Sequence, residues 1–113
     1  MSDLRRSTEF YTEVFGLEQV AEFSLPTMDE VVLAFGRGAA IVLMCHTDGV
    51  ERDLADTGGK LVFSVVDPMA TTELARERGA EVVREPSPVP GLGDAVVGFV
   101  TDPDGHLLEL LQA

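Results

Sequence analysis

The chain is written twice. Gly16-Leu17-Glu18-Gln19-Val20 is answered by Gly79-Ala80-Glu81-Val82-Val83 at an offset of 63 residues. Upstream, two acidic helix-cap candidates, Asp3 and Asp67, match at an offset of 64, and downstream the turn glycines Gly38 and Gly105 match at 67. Most of that growth comes from the Pro/Gly-rich run at residues 86–93. Self-similarity at one long period restricts the fold severely, because each copy must be a supersecondary unit of the same element order. At 113 residues the two copies together have the size of one ordinary domain.

Local chemistry fixes the order inside each copy. Leu4, Phe10, Tyr11, Val14 and Phe15 recur near helical spacing over residues 3–15, with Asp3 able to cap the start and Gly16 to end it. Residues 18–25, 30–35 and 39–45 read as three strands, with Gly36-Arg37-Gly38 turning the last two. The second copy begins with a strand at 60–66. Asp67-Pro68, cap then proline at the first helical position, opens a helix that Gly79 closes. A short strand at 81–84, a loop at 86–93 of the kind that covers binding sites, and a hairpin of 94–101 with 106–112 complete it. Asp102-Pro103-Asp104-Gly105 places proline and glycine as a type I turn requires. The expected architecture is therefore α+β, two tandem βαβββ modules: residues 1–47, a linker at 48–59, and residues 60–113. The repeat places the first strand of module one before Met1, so that module is expected to lack it.

Composition removes several functions. Eight basic against twenty acidic residues give a formal charge of −12, the wrong sign for phosphate backbones or anionic membrane surfaces. No apolar run approaches the length of a membrane span, and the first residues lead into an amphipathic segment and not a signal peptide. Cys45 is the single cysteine, so no intrachain disulfide or cysteine-based metal cluster can form, and a cytoplasmic setting is the simplest expectation. The acidic balance also suits a cationic small ligand.

Asp3-Leu4, Ser7, Phe10-Tyr11 and Phe15-Gly16-Leu17, with Asp102-Pro103-Asp104-Gly105-His106 and Leu108-Glu109-Leu110, carry a resemblance. They resemble the helix-one signature and closing hairpin of the vicinal oxygen chelate superfamily, which includes glyoxalases, extradiol dioxygenases and bleomycin-resistance proteins. The resemblance implies two βαβββ modules whose sheets face a shared cavity, with metal ligands on the first and last strand of each module. It puts one ligand at Glu109 and, through the repeat, its counterpart at Val42; another falls at Lys60, and the fourth before Met1. Val42 has no lone pair to give, and a protonated lysine repels a divalent cation. Glu109 alone is retained of the ligand set, against the three or so protein ligands that catalytic divalent sites use. No metal and no other cofactor is expected.

Strand alternation puts Lys60, Val62 and Ser64 on the cavity face, with Glu109 on the last strand and Val42 and Met44 on its repeat mate. Phe99 joins them as a candidate ligand-binding residue. Lys60 and Glu109 either pair with each other or stand as two separate charges at a solvated mouth. Cys45-His46 is not expected to work as a nucleophile pair, since neighbouring strand residues point to opposite faces, and His46 reads as a structural or exposed histidine. His106 is expected to support its turn, and Tyr11 to pack with its hydroxyl near the surface. Phe23, Phe35, Met28, Phe99 and Met44 fit either cavity or core.

The first functional reading is a small-molecule binding protein, similar to the bleomycin-resistance type, with no catalytic residue assigned and no metal chemistry. The second is a metal-dependent lyase, isomerase or dioxygenase whose N-terminus is incomplete; a third is an interaction module. A homodimer is expected, the subunit contact covering the strand edge that a missing strand leaves open.

Overall fold

A computed structural model describes residues 1–54 and 59–113. The chain divides into two compact units, Met1–Leu54 and Ala55–Ala113. No helix among the described residues is long and apolar enough to cross a membrane.

The first unit runs α1 (Leu4–Phe15), β1 (Glu18–Ser24), β2 (Met28–Ala34) and β3 (Ala40–His46). Asp3 caps α1 by accepting from the Arg6 N–H, and Gly16 leaves it at φ 69°, a left-handed value that glycine takes without a Cβ penalty. The three strands form one antiparallel sheet in the order β1-β2-β3. The helix buries Ser7, Phe10, Tyr11 and Val14, and the sheet contributes Val31, Leu33 and Leu43 to the same core. Phe10 meets Tyr11 edge-on at 5.3 Å between ring centres. Tyr11 is wholly buried, so its hydroxyl lies inside the core and not near the surface. On the outer edge of β3 the α-amino group of Met1 donates to the Met44 carbonyl.

The second unit runs β4 (Leu61–Val65), α2 (Pro68–Glu77), β5 (Val82–Val89), a short 3-10 turn (Pro90–Leu92), β6 (Ala95–Thr101) and β7 (Leu107–Gln112). Its sheet order is β4-β7-β6-β5, with β4 parallel to β7 and the rest antiparallel. Val100, Leu108, Leu110 and Ala75 of α2 are fully buried, and α2 lies against β6 and β7. Helix, then three antiparallel strands in order, thus occurs in both units, as the repeat requires.

One element departs from expectation. β5 continues through Pro86 and Pro88 to Val89, where the sequence reads as a loop. The prolines are tolerated because β5 is the edge strand of its sheet and its register shifts twice, between Val82 and Arg84 and between Arg84 and Ser87. A methyl group on Gly98 would stand 3.0 Å from Pro86 Cγ, so the bulged strand is accommodated only where β6 has no side chain. The remaining boundaries move by one or two residues: β2 starts at Met28, β3 takes in His46, and α2 ends at Glu77. The expected linker keeps residues 48–54 and 59 in view; its positions 55–58 lie outside the described residues.

Candidate functional site

Each sheet keeps one face for its helix and leaves the other open. In the second unit Leu108 and Leu110 point to α2 and are fully buried, so Leu107, Glu109 and Leu111 stand on the opposite face. Register then carries one row across the sheet, from Val62 on β4 through Glu109 on β7 and Phe99 on β6 to Arg84 on β5. Val62 is half-exposed and Ser64 is exposed, while Phe63 between them is buried.

Lys60 precedes β4 by one residue and shares the face of Val62. Its Nζ donates to Glu109 Oε1 at 2.6 Å and stands 5.1 Å from the centre of the Phe99 ring. The Lys60 side chain is 45% exposed and that of Glu109 13%. The two charges therefore pair, as burial of Glu109 demands, because an unpartnered carboxylate there would lose hydration without compensation. The pair is further held by the ring face beneath the ammonium.

In the first unit Leu43 is buried, and Ala40, Val42 and Met44 lie on the open face, with Val42 opposite Val32 and Met44 opposite Glu30. Val42, Met44, Phe23 and Phe35 are all partly exposed and are not core. His106 donates its backbone N–H to Asp102 Oδ1 at 2.9 Å, alongside the Asp104 N–H at 2.9 Å, so this segment holds the β6–β7 turn. Cys45 has its Sγ 4.0 Å from the His46 carbonyl, a contact with the backbone and not with the imidazole.

A divalent metal does not fit the positions that the resemblance assigns to its ligands. Val42 offers only carbon, and a lysine ammonium, which repels a divalent cation, sits on Oε1 of Glu109. Among the described residues no group of three or more His, Cys, Asp or Glu side chains stands close enough to hold a metal ion.

Arg84 is the residue of this face that sequence reasoning missed. It lies opposite Phe99 and donates from Nη2 and Nε to Ser87 Oγ at 2.8 and 3.3 Å. Strand alternation alone could not place it, because a bulge just before it changes the count.

Comparison with known proteins agrees with this architecture. The family model of the Glyoxalase/Bleomycin resistance protein/Dioxygenase superfamily matches residues 1–110. The chain is 38% identical over 117 residues to lactoylglutathione lyase GLX1 of Arabidopsis thaliana, covering 99% of this chain and 41% of that protein. It is 35% identical to a probable lactoylglutathione lyase of Synechocystis sp., covering 99% of this chain and 88% of that one. Among solved structures, glyoxalase I from Zea mays superposes with a TM-score of 0.86 at 32% identity, over 100% of this chain and 42% of the maize chain. The trypanothione-dependent glyoxalase I of Leishmania major gives 0.81 at 25% identity, over 99% and 80%.

Proposed function

This chain belongs to the Glyoxalase/Bleomycin resistance protein/Dioxygenase superfamily, and from that premise we propose that it binds a small molecule on its open sheet faces without metal chemistry. The observation that supports this reading is the Lys60–Glu109 pair, in which a cation of the chain itself occupies the one carboxylate retained from the family's ligand set. Val42 at the repeat-related position points the same way, since no protonation change can turn it into a ligand. Half-exposed Val62 on the face of the second unit supplies the apolar contact that small-molecule sites use around a few polar groups, and Val42 and Met44 offer the same on the face of the first unit.

The decisive experiment joins metal analysis to an activity assay. The protein, purified without chelator, is expected to carry well under one equivalent of Ni, Zn, Fe or Mn, and to show no lyase activity on lactoylglutathione when any of these is added. In a thermal-shift screen of a broad compound library, a ligand at 100 times its Kd should stabilise the protein by about 2.7 kcal/mol. One equivalent of tightly held metal with turnover would overturn the reading. So would a flat response across the library.

A second reading has its own support. Two relatives at 38% and 35% identity are named as lactoylglutathione lyases, which favours a metal-dependent lyase. The activity arm of the same experiment decides between the two.

A further inference from the structure

The binding function proposed above, on which this inference rests, leaves the charge of the ligand open. A net charge of −12 favours a cation at long range. At the open face of the second unit the local arrangement has the opposite sense. Three charged residues meet around Phe99: Glu109 and Arg84 flank it along the row, and Lys60, two residues before Val62, places its ammonium over the ring and on Glu109. Two cations and one carboxylate leave a single positive charge. Thr101, Leu107, Leu111 and Val97, which share the face by register, add none. Glu85, next to Arg84 in sequence, is bonded to Arg76 of α2.

Access reinforces the tally. The Glu109 side chain is 13% exposed and that of Lys60 45%, so an approaching solute meets the ammonium first. Glu109 is the one hydrogen-bond partner of Lys60 Nζ among the described residues, and an ammonium has three N–H donors. Arg84 spends Nε and Nη2 on Ser87 Oγ and keeps further donors of its five. A cationic ligand would have to compete with Lys60 for Glu109, whereas an oxyanion can accept from N–H groups of Lys60 and Arg84 that Glu109 and Ser87 do not take up.

We propose that this face takes a small organic anion, a carboxylate joined to an apolar or aromatic body. The carboxylate accepts from Lys60 Nζ with Arg84 contributing from the far side of the ring, and the body lies against Val62 and the uncovered part of Phe99. Glu109 is then a positioning residue: it fixes the ammonium without touching the ligand.

Lys60 is the only lysine of the chain, so lysine side-chain labelling gives a single reporter for an NMR titration. Benzoate and benzylamine, matched in shape and opposite in charge, are the probes, each carried to tens of millimolar against the full chain. Benzoate is expected to shift the Lys60 reporter and the Val62 and Phe99 amides saturably, and benzylamine to leave them unmoved. Lys60→Met and Arg84→Met should each weaken benzoate by about tenfold, the loss of one charge-assisted contact. Glu109→Gln should retain benzoate binding or tighten it, because the amide oxygen can still accept from Lys60 and hold the ammonium while the negative charge on the face is removed; amide spectra of each variant confirm that it folds. Preferential benzylamine binding that Glu109→Gln abolishes overturns the proposal, as does benzoate binding indifferent to Lys60→Met. If neither probe binds while a neutral library compound stabilises the protein, the anion assignment fails and the binding function survives; if nothing binds, both fail.

Discussion

Asp48, two residues beyond the end of β3, is the most strongly perturbed acid among the described residues. Its two carboxylate oxygens accept from Nη1 and Nη2 of Arg52 at 2.9 and 2.8 Å, and Oδ1 also accepts from the Val50 N–H at 3.0 Å. These bonds, that of Arg52 foremost, hold the carboxyl well below the usual aspartate range despite some loss of hydration, and Arg52 is raised in return. The folded state therefore binds fewer protons here than the unfolded chain does in acid. Stability from the clasp is fully present above the ordinary aspartate value of about 3.9 and is lost as the pH falls below it toward the folded value. The thermal midpoint of the wild type should exceed that of Asp48→Asn by a constant margin at neutral and mildly acidic pH. That margin should shrink progressively below about pH 4; a gap that persists unchanged into strong acid would show that the charge of Asp48 is not what the clasp uses. The spacing of acid and arginine four residues apart was open to inspection in the sequence. Bidentate geometry in a segment with no helix was not.

Among the secondary elements, what the sequence discloses is what short-range chemistry decides. Asp67 shows this best: its Oδ1 accepts from the Met69 and Ala70 N–H groups, both at 3.1 Å, and Pro68 follows at the first helical position. Asp3 does the same for α1 with one bond, from the Arg6 N–H at 3.0 Å. Removing two capping bonds from α2 by Asp67→Ala should cost about 1 kcal/mol in urea unfolding. Asp67→Asn, which keeps an acceptor, should cost a few tenths, and Asp3→Ala should cost less than Asp67→Ala. Equal losses for Ala and Asn at position 67 would mean that the carboxylate charge at the helix N-terminus, and not the cap, does the stabilising. β5 marks the other limit. Two prolines argue locally for a loop, and only membership of a sheet edge with two register shifts lets them stay in a strand. Neither the edge position nor the bulges are written in residues 82–89 themselves.

Across the whole chain the repeat did most of the work, because equal offsets in caps, turns and strands translate into equal element order without any knowledge of packing. The family resemblance put Lys60 and Glu109 at converging ligand positions and left open whether they pair or stand apart; the structure gives the pair. Arg84 escaped because alternation fails across a bulge. The acidic excess has a consequence of its own. Arg5, Arg52, Lys60 and Arg76 are tied to carboxylates, and over the whole sequence twenty acids stand against eight cations. The net repulsion of that excess reaches over a Debye length of about 30 Å at 0.01 M salt and only about 8 Å at 0.15 M. Folding gathers these charges and opposes itself; salt relieves the opposition more than it weakens exposed ion pairs, each worth about 0–1 kcal/mol. Sodium chloride raised from 0.01 to 0.5 M should therefore stabilise the fold by on the order of 1 kcal/mol, a rise of roughly 4–8 °C in thermal midpoint. A midpoint that falls with salt would reverse the balance, making the paired charges, Lys60–Glu109 first among them, worth more than the repulsion they sit in.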